Sequence, residues 1–202
     1  MTTSMKDIES IDLILRGMPG APLVTHQFSD KAKRQIREKH AKAAKKAKEQ
    51  RDPEAEFLAA RYVDAQGREC APITAIKKSF ITAATAMDNL TKVALRQAIF
   101  ARPTGAPAAM LVPIELHDGT PAVGVLQEDA VTIGMGTRGL AYRPSYAEWQ
   151  LRVTVEYSTR LVSREQLIAL AGHAGWGVGI CEGRPEKTSA LGWGRFGVEV
   201  AS

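Results

Sequence analysis

The feature that most constrains this chain is a nine-residue alternation, Trp149-Gln150-Leu151-Arg152-Val153-Thr154-Val155-Glu156-Tyr157, succeeded closely by a helix start and one more strand. Apolar residues fall at every second position, so an extended segment here buries one face and wets the other. Ser163-Arg164-Glu165-Gln166 then forms a capping box, in which two side chains satisfy N–H groups that a new helix leaves free. The helix carries Leu167, Ile168 and Leu170, and Gly172 and Gly175 are placed to end it. Val178 to Cys181 reads as a short strand or hairpin arm, 182–194 as a loop, and Arg195 to Val200 as the last strand. Strand, helix and strand in this order make half of a ferredoxin-like fold. The expected class is therefore α+β, a ferredoxin-like (RRM-like) antiparallel sheet with helices on one face.

The first half supplies matching pieces. Ile11 to Leu15 alternates weakly, breaks at Gly17-Met18-Pro19-Gly20, and continues at Pro22-Leu23-Val24. Ser29 or Asp30 can cap a helix starting at Lys31. From Lys31 to about Gln50 the residues are strong helix formers, with Ile36 the one large apolar side chain. Such a helix has almost nothing to bury and projects from the core. Pro53 ends it or starts another. Glu54 to Tyr62 is a short helical or mixed piece, and Asp64-Ala65-Gln66-Gly67 is a turn. Apolar spacing predicts helices over 73–87 and 89–99. Pro103, Pro107, Pro113, Pro121 and Pro144 rule out a long helix in 101–145. That stretch reads as an irregular insertion with short strands at 111–116 and 130–133. The expected organisation is one domain over 1–202, with a basic helical insertion at 31–61 and a Pro/Gly-rich one at 101–145.

Charge narrows the function. Residues 31–51 hold seven Lys and three Arg against two Glu, a net +8, in a chain of 202 residues that totals +5; the rest sums to −3. A local excess of this size suits a polyanion. An acidic protein surface is the alternative partner. A membrane is not expected, because the segment lacks the Leu/Phe/Trp face of a surface helix and no run approaches 18 apolar residues. MTTSMKDIES carries acids and no apolar h-region, unlike a signal peptide, so the cytoplasm is the expected place. Cys70 and Cys181 have no zinc-type spacing and read as reduced packing residues. No cofactor or metal is expected.

Three stretches resemble the RAMP superfamily, the ferredoxin-like RNA-binding proteins of CRISPR effector complexes, and most of all its single-domain backbone subunits. Ile11 to Leu15 and then Gly20-Ala21-Pro22-Leu23-Val24-Thr25 resemble the first strand and its ending. Tyr62 to Pro72, then Ile76-Lys77-Lys78-Ser79-Phe80-Ile81, resembles the hairpin, Pro and Lys-bearing helix. Gly183-Arg184-Pro185-Glu186-Lys187 with Gly192-Trp193-Gly194-Arg195-Phe196-Gly197-Val198 resembles the glycine-rich loop before the last strand. Ile73-Thr74-Ala75-Ile76 stands where the family has Ser-Ser or similar, and Lys78 where it often has Gly. The resemblance implies a stand-alone version of the kind phages and mobile elements encode. It also implies copies lining up along a strand, because the backbone subunits stack head to tail.

The candidate binding residues fall into four groups. Gly192, Gly194 and Gly197 allow close approach to a sugar-phosphate backbone, Arg184, Lys187 and Arg195 supply charge, and Trp193 and Phe196 offer flat faces for bases. The plain alternative is a hairpin loop whose aromatics pack inward. Lys77 and Lys78 occupy the first turns of a helix, where anions are favoured, unless they are merely solvated. The resemblance favours Lys77. Lys31, Lys33, Arg34, Arg37, Lys42, Lys45 and Lys46 are expected to clamp phosphates, because solvated helices usually mix signs. Arg138, Tyr142 and Arg143 form a thumb-like second contact or are ordinary loop residues.

A catalytic reading has little to stand on. No Ser/His/Asp set, paired carboxylates or phosphate loop appears. Gly134 to Gly139 matches a dinucleotide fingerprint only superficially. A metal-independent ribonuclease of the superfamily would use His26, or Asp30, which a helix N-cap explains better. The expectation is a binding protein for single-stranded RNA or DNA, oligomeric along the strand, with no catalytic residues. The rivals are an assembly or interference protein that binds no nucleic acid, and a nuclease.

Overall fold

The alternation in the first strand sets up the sheet. The computed structural model describes residues 7–27, 51–88, 90–106, 108–133, 137–188 and 191–201. In chain order the first elements are β1 (Ile8–Gly17), β2 (Leu23–Val24), α1 (Pro53–Ala60), β3 (Tyr62–Val63), β4 (Glu69–Pro72), α2 (Ile73–Ala83) with a 3-10 turn over Ala84–Ala86, and α3 (Lys92–Ala98). Next come β5 (Ile99–Pro103), β6 (Leu111–Pro113), β7 (Val125–Ile133), β8 (Thr137–Tyr146), β9 (Gln150–Ser158), α4 (Arg164–His173), a π-helical turn over Ala174–Val178, and β10 (Phe196–Val200).

Ile11, Leu13 and Leu15 of β1 are buried opposite Val155, Val153 and Leu151 of β9. β10 pairs with the other edge of β1, and β5 with the far edge of β9. The order is β10-β1-β9-β5, with every neighbour antiparallel. The chain crosses from β1 to β5 through α2 and α3, and from β9 to β10 through α4. Two interleaved β-α-β units in this order are the ferredoxin-like α+β fold.

Both main helices close the same face. Ile73, Ile76, Phe80 and Ala83 recur at steps of three and four, so they form one stripe of α2 and are buried. Leu167, Leu170 and Ala171 do the same on α4. Each large apolar side chain buried here stabilises the fold by about 1.5–3 kcal/mol. The capping box is present: the Gln166 N–H donates to the Ser163 hydroxyl at 3.2 Å and the Ser163 N–H to the Gln166 side chain at 2.9 Å. Trp149 is fully buried and its indole N–H donates to the Ala21 carbonyl at 3.0 Å. A Cβ at Gly17 would lie 2.4 Å from that indole nitrogen, so only glycine fits where β1 ends.

The remaining strands form two small sheets, β3-β4-β6 and β2-β8-β7. Glu69 ties them together. Its carboxylate, only 7% exposed, accepts from Arg61 at 3.0 Å, the Gly124 N–H at 2.9 Å and the Tyr146 hydroxyl at 2.6 Å. Burial, then the adjacent carboxylate, raise the Tyr146 phenol above its usual range.

The structure departs from the sequence reading in three places. Residue 99, expected to close a helix, starts β5: Ile99 is extended and buried opposite Tyr157, and sheet pairing overrides helix propensity there. Val178 to Cys181 is not a strand. Gly179 (φ 69) and Cys181 (φ 61) lie in the left-handed region, outside the dihedrals of a regular strand. The insertion at 101–145 is less irregular than its prolines suggest, because β7 and β8 pair over nine residues each. Pro144 gives up one N–H, yet its carbonyl still accepts from Thr25 at 3.2 Å. Of the two roles left open for Pro53, it starts a helix: Asp52 caps α1 by accepting from Glu54 and Ala55, both at 3.1 Å.

Candidate nucleic-acid interface

The outer surface of α2 gathers cations from separate parts of the chain. Its apolar stripe faces the sheet, so Thr74, Lys77, Lys78, Ile81 and Thr82 are left outward. α3 packs alongside and adds Lys92 and Arg96. Together these seven residues line a shallow groove of about 320 Å³ that holds four cations and no carboxylate. Lys77 is partly committed: its ammonium lies 4.1 Å from the Phe100 ring centroid and donates to the Arg96 carbonyl at 3.3 Å. Burial lowers its pKa. Lys78 is exposed.

A second cavity, about 410 Å³, opens on the other side of α2 and shares Thr74, Lys78 and Thr82 with the groove. His26, Tyr62, Glu182 and Arg184 line it too, so it joins three sequence regions. Arg184 donates to the Cys181 carbonyl at 2.7 Å and to Glu186 at 3.0 Å, which offsets much of its charge. Arg143 lies 3.8 Å from Asp129 and 3.9 Å from Glu182. Burial, then Arg143, lower the His26 pKa, while Glu182 opposes them. Burial pushes the Cys181 thiol up to about 12 and the Cys70 thiol to about 11, so neither is a ready nucleophile at neutral pH.

The glycine-rich segment 183–197 divides. Trp193 is half-buried, its indole against Gly183, where a Cβ would lie 2.2 Å from the ring. Phe196 is fully buried, edge-on to Trp149 at 6.3 Å. That corrects the expectation of a base-stacking Phe196: the register of β10 turns it into the core opposite Gly17. Arg195 stays outside, its guanidinium 5.0 Å from the ring centroid of Trp176. Lys187 is exposed in the turn after Arg184. Arg138 lies on β8 opposite Thr132. Lys31, Lys33, Arg34, Arg37, Lys42, Lys45 and Lys46, with Asp30, lie outside the described residues. The chain on either side is anchored, however. The Gln27 N–H donates to the Ala60 carbonyl at 2.8 Å, and Arg51 donates to the Leu140 carbonyl at 2.8 Å and lies 5.3 Å over the Tyr142 ring.

The open face of the sheet is differently built. Arg152 pairs with Glu115 at 3.0 Å, Arg16 with Glu199 at 3.2 Å, and Arg102 with Glu156. Its cations are already matched by carboxylates.

Sequence reading singles out Lys77, Lys78 and Arg184, which the fold brings together around α2. It misses Lys92 and Arg96, which carry no local signal, and Trp176, whose place between Gly175 and Gly177 past a helix end is the one sign in the sequence. Among the described residues no group of three or more His, Cys, Asp or Glu is arranged to hold a metal, and no helix is long and apolar enough to cross a membrane.

The strand order and helix placement define the class, a ferredoxin-like α+β protein with a cationic helix face. No family model and no curated protein matches the chain. Among solved structures it is similar to the crystal structure of Cmr6 from Pyrococcus furiosus, with 12% sequence identity and a TM-score of 0.40, over 94% of this chain and 98% of that one.

Proposed function

We propose that this protein binds single-stranded nucleic acid, holding phosphates along the outer face of α2 with little preference for sequence. The observation that carries the reading is the groove lined by Lys77, Lys78, Lys92 and Arg96 with no carboxylate among its residues. Four cations with no carboxylate partner among the described residues repel one another and are relieved by a polyanion that releases its counterions. The +8 segment at 31–51 adds charge to the same partner. The resemblance to RAMP backbone subunits favours RNA as the strand and several copies along it.

Fluorescence anisotropy of labelled single-stranded RNA and DNA across a salt series tests this. Log affinity is expected to fall linearly with log salt, and to fall less steeply when the lysines of 31–51 are changed to Gln. No binding to any strand at low salt overturns the reading and leaves an assembly or interference protein.

A second reading, cleavage of a bound RNA without metal, is favoured by one observation. His26, held toward its neutral form, lines the same cavity as Lys78 and Arg184. A neutral imidazole takes the proton of the ribose 2′-hydroxyl, whose oxygen attacks phosphorus and expels the 5′-oxygen; that oxygen takes a proton from water and leaves as the alcohol, the hydroxide so formed is neutralised by the proton the imidazolium gives up, and the product is a 2′,3′-cyclic phosphate. Labelled RNA incubated in EDTA decides: intact RNA, or equal cleavage by His26→Ala, removes this reading.

A further inference from the structure

Trp176 is the most exposed aromatic ring among the described residues, at 64%. Its backbone is held in that position from both sides. Gly175 is buried against β10, where a Cβ would lie 2.0 Å from the Phe196 carbonyl oxygen. Gly179, at φ 69, closes the π-helical turn by donating its N–H to the Ala174 carbonyl at 2.8 Å. π-Helical turns of this kind recur at functional sites. The indole is therefore presented rather than left over at a frayed helix end.

Arg195 completes the feature. Its guanidinium covers one face of the indole at 5.0 Å, and its Nε donates to the Gly192 carbonyl at 3.3 Å. Arg184 and Arg143 sit beside carboxylates, whereas Arg195 has no carboxylate partner among the described residues. Gly177 and Gly192 bring no side chain to the surroundings; a Cβ at Gly177 would meet nothing within 4 Å. The result is a rigid flat ring, backed by a cation and bordered by bare backbone.

We infer that Trp176 and Arg195 form a stacking shelf for one base of a single-stranded nucleic acid, with Trp176 taking the base on the face away from Arg195 and Arg195 meeting an adjoining phosphate. This rests on the proposed nucleic-acid binding and adds a base contact to it. A base and its phosphate present a π-face and an anion next to each other, which is the pairing this shelf offers. The π-helical turn also borders the cavity beside α2, which Val178 lines. That cavity shares Lys78 with the Lys92 and Arg96 groove and is lined by Arg184 as well. An apolar protein surface is the competing occupant, because Leu191 is exposed next to Gly192.

The test uses the full chain with two labelled strands of equal length, an oligouridine and one made of abasic sugar-phosphate. Trp176→Ala is expected to weaken binding of the oligouridine about 5- to 100-fold and to leave the abasic strand unaffected. Trp176→Phe keeps most of the affinity, and both variants keep the melting temperature of the unaltered chain, since the side chain is exposed. Equal affinities of Trp176→Ala and the unaltered chain for oligouridine overturn the shelf alone and leave the Trp to a protein partner. Equal losses on both strands overturn it as well, by showing a general disturbance. If the unaltered chain binds neither strand, the shelf and the proposed function fall together.

Discussion

The two broad surfaces of this molecule carry similar numbers of cations and treat them oppositely. On the open sheet face Arg16, Arg102 and Arg152 each meet a carboxylate. On the outer face of α2, Lys77, Lys78, Lys92 and Arg96 meet none among the described residues. The pairs run diagonally rather than straight across: Arg16 stands opposite Gly197 and reaches Glu199, and Arg102 stands opposite Thr154 and reaches Glu156, so the sheet neutralises itself and offers little net field to a polyanion. The helix layer leaves its charge for something else. RRM-type proteins stack bases on the open sheet, and here that face is occupied by its own ion pairs. The comparison teaches that the ferredoxin-like order alone does not distinguish the two faces; the pairing of charges does.

The comparison breaks most readily at the α2 groove. A variant carrying Lys77→Gln, Lys78→Gln, Lys92→Gln and Arg96→Gln is expected to lower the magnitude of the salt slope by about 3, from roughly 0.7 for each phosphate that is no longer neutralised. The matching sheet variant, Arg16→Gln with Arg102→Gln and Arg152→Gln, leaves the slope unchanged. Anisotropy titrations of the two side by side check it, and a larger loss in the sheet variant reverses the assignment.

Glu69 sharpens the contrast by showing a charge whose role is wholly internal. Glu69→Ala leaves Arg61, Tyr146 and the Gly124 N–H without their shared acceptor. The expected loss is about 3 kcal/mol in urea unfolding, with unchanged affinity per folded molecule. On the sheet surface, by contrast, Arg152→Gln costs about 0–1 kcal/mol, because the pair it breaks is solvated.

The smallest effect is on pH dependence. Burial and Arg143 hold the folded His26 pKa below the usual 6.5. The unfolded chain therefore takes the proton first, and stability present above about pH 6.5 is lost as pH falls toward the folded value. Urea midpoints measured down to about pH 5 are expected to decline less in His26→Gln than in the unaltered chain.

Much of the fold is legible in the sequence. The alternation in β9, the capping box of α4 and the three-four spacing in α2 are local patterns, and each lies where the periodicity puts it. β5 is not legible, because Ile99 and Phe100 come after α3 without a Gly or Pro to mark the change. The hairpin of β7 and β8 is obscured by its glycines and prolines. Of the candidate site, Lys77, Lys78 and Arg184 are visible as cations beside a helix start or in a glycine-rich loop. Phe196 misleads because its burial depends on the register of β10, which a five-residue strand does not announce.

What the sequence by itself determined is everything with a short period: which face of each strand and helix is apolar, where α4 is capped, and that the positive charge concentrates in 31–51. Only the tertiary structure decided which charges remain unmatched. Lys92 and Arg96 join Lys77 because α3 packs beside α2, Arg184 faces Lys78 across a cavity, and Arg195 finds Trp176 through the turn that ends α4. The physical reason is range. Periodicity records the interaction of a residue with its own element and the solvent, whereas the neutralisation of a charge depends on which distant residue the fold sets beside it.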